Sequence, residues 1–114
     1  MSIASFVLKG ILAFIFLGAG AGKVLGSRMH KENFIQWRLP QWFRLVTGIV
    51  ELVGAGLLII GFWHNDYAAA GAILLGFTAI GGVLTHLRVK DRFQETMPIA
   101  VIGICSFALF FLLI

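Results

Sequence analysis

The run LGAGAGKVLGS, Leu17–Ser27, places alternating glycines ahead of a lysine, and two folds compete for it. As a phosphate-binding loop it would open a nucleotide-binding domain; as part of a membrane helix it would be a close-packing surface. A Walker loop requires G-x-x-x-x-G-K-[ST], the last residue holding magnesium. Gly22-Lys23 supplies the G-K pair, but Leu17 stands five residues before Gly22, and Val24 follows the lysine. The dinucleotide fingerprint also fails, since the glycine after Gly20-x-Gly22 is Gly26, one residue late. No strand pattern precedes either motif. Nucleotide is excluded as a ligand, and the helix remains.

Gly18, Gly22 and Gly26 recur every four residues, with Ala19 and Gly20 beside them. Small-xxx-small spacing lets two helix backbones approach closely, which serves either packing of the chain's own bundle or a homo-oligomer face. The surrounding segment, Ile3–Leu25, is apolar apart from Lys9 and Lys23. The whole chain of 114 residues is 60% hydrophobic and 12% charged, with a mean hydropathy of +0.98. A small soluble domain hides only about 60–65% of its surface and could not bury this much Leu, Ile, Phe and Ala. The fitting solvent is lipid.

Three further apolar segments follow, so the sequence predicts a single all-α domain over residues 1–114. It is a bundle of four transmembrane helices at about 3–25, 45–63, 67–87 and 97–114. A helix needs about 20 residues to cross the hydrocarbon core, and backbone groups in lipid must bond within their own segment. The loop from Ser27 to Arg44 is long and polar. Its stretch ENFIQWRLPQWF is expected to lie on the membrane surface, with Phe34, Trp37 and Trp42 at headgroup level and Pro40 leading into the second span. WHND, Trp63–Asp66, is a tight hairpin loop. Thr96 and Pro98 suggest an N-cap and a first-turn proline for the fourth helix.

Charge sets the expected orientation. Lys23, Arg28, Lys31, Arg38 and Arg44 flank the first loop, and Arg88, Lys90 and Arg92 occupy the third, with only Lys9 towards the other side. The positive-inside rule then puts both loops in the cytoplasm and both termini outside, in a multi-pass protein of the inner (plasma) membrane. The net charge of +4 is thereby explained by topology and the lipid bilayer, without nucleic acid. Lys9, ILAFIFLG and the A-x-A at Ala19–Ala21 imitate a cleavable secretory signal. Cleavage would push the basic loop outward, against the charge bias, so the segment is read as a retained span. The chain ends Leu112-Leu113-Ile114 with no polar anchor, which also fits a truncated helix.

The candidate site begins at Lys23. A lysine near a helix end commonly snorkels to the headgroups, yet its helical neighbours Ala19, Gly20, Gly26 and Ser27 are small, which marks the packed side. Glu51 lies eight residues into the second span from Phe43, roughly 12 Å deep at 1.5 Å per residue. A carboxylate at that depth is normally turned inward and partnered. Thr47, Gly48, Gly54 and Ala55 beside it are also small. Two small-residue faces with opposite charges predict a Lys23–Glu51 ion pair. In the third span Thr78, Gly82 and His86 share a stripe with Thr85 beside it. His86 either contacts the interface or joins Lys23 and Glu51 in a polar pocket able to move protons.

Other chemistry finds no support. Cys105 is alone and mid-span, so it reads as a packing residue. His30 and His64 fall in loops without metal-ligand spacing, and no metal or cofactor is predicted. The order of AGAGKVLG, LPQWFRLVTGIVELVGAGLLIIG and GGVLTHLRVKD resembles the DoxX-like family of small four-helix membrane proteins, over roughly Leu12–Asp91. The resemblance implies recurring polar positions at Lys23, at Gly48 with Glu51, and at Thr85, His86 and Arg88. That family takes its name from a subunit associated with archaeal thiosulfate:quinone oxidoreduction. Its relatives are linked to redox and oxidative-stress membrane complexes, and animal relatives look like receptor-assembly chaperones.

Three functions follow as expectations. The first is an accessory protein binding a lipid-like or quinone-like molecule, or a membrane-protein partner, at the polar pocket. The second is a small intramembrane enzyme using Glu51 or His86 as acid/base. The third is a proton-coupled transporter similar to the small multidrug resistance family, whose buried glutamate nevertheless lies in the first helix and whose loops are short. Whether any reaction is catalysed stays open at this level, with the non-catalytic reading favoured.

Overall fold

The apolar segments become helices whose ends are set by local chemistry. The computed structural model describes residues 2–114, which form α1 (Ile3–Leu25), α2 (Arg28–Gln36), α3 (Gln41–Ile60), α4 (Asn65–Arg88) and α5 (Phe93–Leu113). All but α2 are long and apolar enough to span a membrane. Ser2 caps α1, its side chain accepting from the Ser5 N–H at 3.1 Å. Gly26 ends α1 in the left-handed region, φ +74°, which reverses the chain so that Ser27 N–H reaches the Gly22 carbonyl at 2.9 Å.

Each membrane helix packs on its sequence neighbour among the four: α1 on α3, α3 on α4, α4 on α5, and α5 back on α1. The core of this ring is Leu12, Phe16, Ala55, Leu58, Ala72, Leu75 and Leu109. Burial is inverted relative to a water-soluble bundle. Phe14, Ile104 and Phe111 are 80%, 68% and 68% exposed, whereas Lys9 and Glu51 are 0% and 4% exposed. An apolar exterior around buried charges is what lipid demands, and the chain is a multi-pass membrane protein by this architecture.

Close backbone approach in α1 is carried by Gly20 and not by the expected stripe of Gly18, Gly22 and Gly26, whereas Gly48 and Gly54 of α3 pack as expected. A methyl added at Gly20 would stand 2.9 Å from the Gly48 carbonyl oxygen, and one at Gly48 would stand 2.8 Å from Lys23 Cβ. These contacts join α1 to α3. On the far side of α3, Gly54 receives Leu75 of α4, 2.5 Å from where a Cβ would sit. Gly18, expected in the packing stripe, has nothing within 4 Å. Gly22 faces His30 of α2 instead of a membrane helix, and Gly26 is a helix terminator. The reason is geometric: at 3.6 residues per turn, steps of four rotate the stripe by about 40° each, so these three positions do not share one partner.

Helix boundaries also shift. The second span begins at Gln41, with Pro40 as its N-cap, and ends at Ile60, leaving Gly61–Trp63 as a turn. The surface piece is a helix over Arg28–Gln36, capped by Ser27, so it starts earlier than ENFIQ and stops before the Trp37–Pro40 turn. The fourth span starts at Phe93 with Arg92 as N-cap, so Thr96 is not the cap. The Thr96 hydroxyl donates back to the Arg92 carbonyl at 3.2 Å, and Pro98 falls in the second turn.

Candidate ligand cavity

α2 and the turn after it lie against one end of the bundle, and beneath them α3 and α4 part to leave a cavity of about 370 Å³. Its wall is apolar over most of its extent, with Phe34, Trp37, Leu39, Phe43, Val46 and Val50 among its residues. Phe34 is anchored at 2% exposure, and Trp37 packs on it with tilted rings whose centroids are 5.2 Å apart. Arg38 takes the left-handed conformation, φ 58°, which lets Leu39 N–H bond the Phe34 carbonyl at 2.9 Å. That turn brings Trp37 and Leu39 into the cavity wall. Cavities of 300–1,000 Å³ with mainly apolar walls and a few placed polar groups are typical small-molecule sites.

The polar end is built on Lys23 and Glu51. Lys23 Nζ stands 2.7 Å from Glu51 Oε1, with the side chains 12% and 6% exposed. The small neighbours Gly20 and Gly48 allow the two helices close enough for this contact. The Lys23 carbonyl in turn accepts from the guanidinium of Arg44, itself 7% exposed, which also bonds Gln41 Oε1 at 2.8 Å. Lys23 is thus fixed at both its backbone and its ammonium.

Thr85 and His86 line the same cavity, with Thr47, Thr78 and Gly82. His86 does not bond Lys23 or Glu51. Its Nδ1 lies 2.6 Å from Asp91 Oδ2. Lys90, φ 60°, turns the chain at the end of α4, and Asp91 N–H bonds the His86 carbonyl at 2.9 Å; the same turn delivers the carboxylate to the ring. Arg88 is outside the cavity. It is exposed on α4 and donates to the Trp37 carbonyl, tying the turn after α2 to the third span. Of the expected packing glycines, Gly48, Gly54 and Gly82 sit at helix contacts, Gly82 against Ile99 of α5.

Two features of this end were not anticipated. His30, on α2 against Gly22, has its imidazole held below the ordinary value, first by burial and then by Lys23 and Arg44 nearby. Asp91 has no assigned role in the sequence; its position five residues after a histidine in a last helical turn is the available signal. At the opposite end, Lys9 is wholly buried and donates to the Gly61 carbonyl at 3.0 Å and to Asn65 Oδ1 at 3.4 Å. The sequence had offered it only as a topology charge. Among the described residues, no three of His, Cys, Asp and Glu gather where they could hold one metal ion.

The family model for the DoxX-like family matches residues 7–108, nearly the whole bundle and every residue of the cavity. This chain belongs to the DoxX-like family. It is 36% identical over 95 residues to the uncharacterized protein YdgD of Bacillus subtilis (strain 168), covering 83% of this chain and 82% of YdgD. No solved structure matches it. The DoxX-like match spans all four membrane helices, including the fourth, where the sequence resemblance had weakened. The Lys23–Glu51 pair and the cavity wall therefore lie inside the family's shared region, and α2, which covers them, does too.

Proposed function

We propose that this DoxX-like protein is a non-catalytic membrane accessory protein whose cavity takes a lipid-like or quinone-like molecule, or an apolar segment of a partner subunit. The observation that carries the reading is the 370 Å³ space ending on a buried Lys23–Glu51 pair. An apolar wall suits an acyl or isoprenoid body, and a single charged end suits a polar head. The charge bias of the loops favours an inner (plasma) membrane location with the α2 end cytoplasmic and both termini outside. A link to redox or stress-response membrane complexes rests on the family resemblance.

The test is to purify the protein in mild detergent and identify co-purifying small molecules by mass spectrometry, beside Glu51→Gln and the cavity-filling Val50→Trp. A bound amphiphile that is lost in both variants is the expected result. An amphiphile retained at wild-type occupancy in Val50→Trp rejects the cavity as its site. The His86–Asp91 contact supports a second reading, since a carboxylate-oriented imidazole is the usual form of a general base. That reading, an intramembrane acid/base enzyme, requires turnover that Asp91→Asn lowers. Proton-coupled transport requires pH-gradient-driven uptake in proteoliposomes that Glu51→Gln abolishes.

A further inference from the structure

The polar atoms around the cavity are not an even mixture of donors and acceptors. Thr47 donates its hydroxyl proton to the Phe43 carbonyl at 2.8 Å, Thr78 to Leu74 at 2.9 Å and Thr85 to Gly81 at 2.9 Å. A hydroxyl has one proton and two lone pairs. All three threonines have spent the proton on their own helices and keep acceptor capacity on the cavity wall. The Glu51 carboxylate accepts only; Lys23 Nζ occupies its Oε1 at 2.7 Å and leaves the remaining lone pairs. The Asp91 carboxylate occupies His86 Nδ1 at 2.6 Å, so that ring nitrogen offers a ligand no free donor. Against these stand Lys23, held on Glu51, and Trp37.

We propose that the cavity selects a neutral amphiphile whose head donates hydrogen bonds, such as an alcohol, a phenol (among quinone-like molecules, the reduced quinol) or an amide N–H, and discriminates against acceptor-only heads, the oxidised quinone included, and against anionic ones. This rests on the reading of the cavity as a small-molecule site. A donor head finds the threonine oxygens and the Glu51 carboxylate ready to accept. An ether or ester head presents lone pairs to lone pairs and must compete with Glu51 for Lys23. An anionic head meets the same carboxylate at close range, in a site whose one buried cation is already neutralised. The apolar body lies along Phe34, Trp37, Phe43 and Val50, where burial is driven by area alone and does not discriminate.

Polar discrimination of this kind is large because a buried group left unpaired costs more than a made bond gains. The experiment uses the full chain in lipid nanodiscs with three probes of equal tail length: 4-octylphenol, its methyl ether 4-octylanisole, and 4-octylbenzoate. Occupancy is read by native mass spectrometry at matched membrane concentrations of probe. The expected result is roughly 10- to 100-fold higher apparent affinity for the phenol. The variant Thr47→Val/Thr78→Val/Thr85→Val, which keeps side-chain shape, should bring that preference towards one. Ether or benzoate binding as tightly as the phenol overturns the proposal, as does an undiminished preference in the folded triple variant. If Val50→Trp still expels all three probes, the small-molecule reading stands without the donor rule. If Val50→Trp expels none, that reading falls and the donor rule with it.

Discussion

Removing either member of the Lys23–Glu51 pair should damage the fold far more than removing both. At 2.7 Å and an effective dielectric constant of about 20, the attraction is about 6 kcal/mol before the cost of taking both ions out of water. Desolvation cancels most of that sum, so a buried pair is worth little compared with well-packed apolar replacements. Breaking it leaves one uncompensated charge at the close contact of Gly20 and Gly48, against a cavity wall that is mostly apolar. Lys23→Met and Glu51→Leu are therefore each expected to cost about 3–5 kcal/mol, whereas the double variant should fall within about 1 kcal/mol of wild type. At about 4 °C per kcal/mol for a chain of this size, each single variant loses about 12–20 °C in Tm. Thermal unfolding in a mild detergent, followed by far-UV circular dichroism, completes the double-mutant cycle. Small single effects that simply add in the double variant would falsify the coupling and return Lys23 to the headgroups.

Two further outcomes separate neighbouring causes. Gly18→Ala should raise stability by about 0.5–1 kcal/mol, since open space surrounds Gly18 and alanine is the better helix former. Gly20→Ala, two residues along, should cost about 1–3 kcal/mol because its methyl meets the Gly48 carbonyl; the same melting assay reads both, and a matching sign for the two would contradict the assigned contact face. The lowered imidazole of His30 also gives α2 a pH dependence. Between its folded and unfolded values the unfolded chain binds more protons, so this stabilisation is complete above about pH 6.5 and is lost as pH falls below it. Protection factors over residues 28–36, referred to the intrinsic exchange rate at each pH, should fall on acidification, and His30→Gln should remove that dependence; an unchanged response in the variant would assign it elsewhere.

The parts of this fold that were legible in the sequence are those in which one residue type has one affordable environment. Four apolar stretches admit only helices in lipid, and a glutamate amid Thr47, Gly48, Gly54 and Ala55 needs a cation across a close contact. Lys23 was the available cation on a matching face. Where a residue has two affordable environments, reading failed. Lys9 could snorkel or turn inward, and its partner Gly61 offers a backbone carbonyl, which every residue has. Arg88 could line the cavity or reach out, and the turn at Trp37 that receives it depends on Arg38 adopting φ 58°, a conformation no arginine announces. The glycine stripe misled because spacing gives a face without saying which helix meets it. Thr96 misled because Thr with a nearby proline marks a helix start within a turn, and the structure used Arg92.

Lys9 and Lys23 of α1 bear on the order in which this protein can be made. Lys9 is held at Gly61 and Asn65, and Lys23 at Glu51; all three acceptors are synthesised after α1 is complete. Holding an ammonium in hydrocarbon costs up to about 2.5–3.5 kcal/mol on insertion scales, so the newborn first helix is an uneasy resident of the bilayer at both its ends. The arrival of α3 resolves both ends together. Because the clasps are separated by 14 residues of α1, about 21 Å of rise, they also forbid α3 from docking one turn out of register. Made before its partners, α1 is thus settled only once α3 arrives, and that later neighbour acts as its insertion factor.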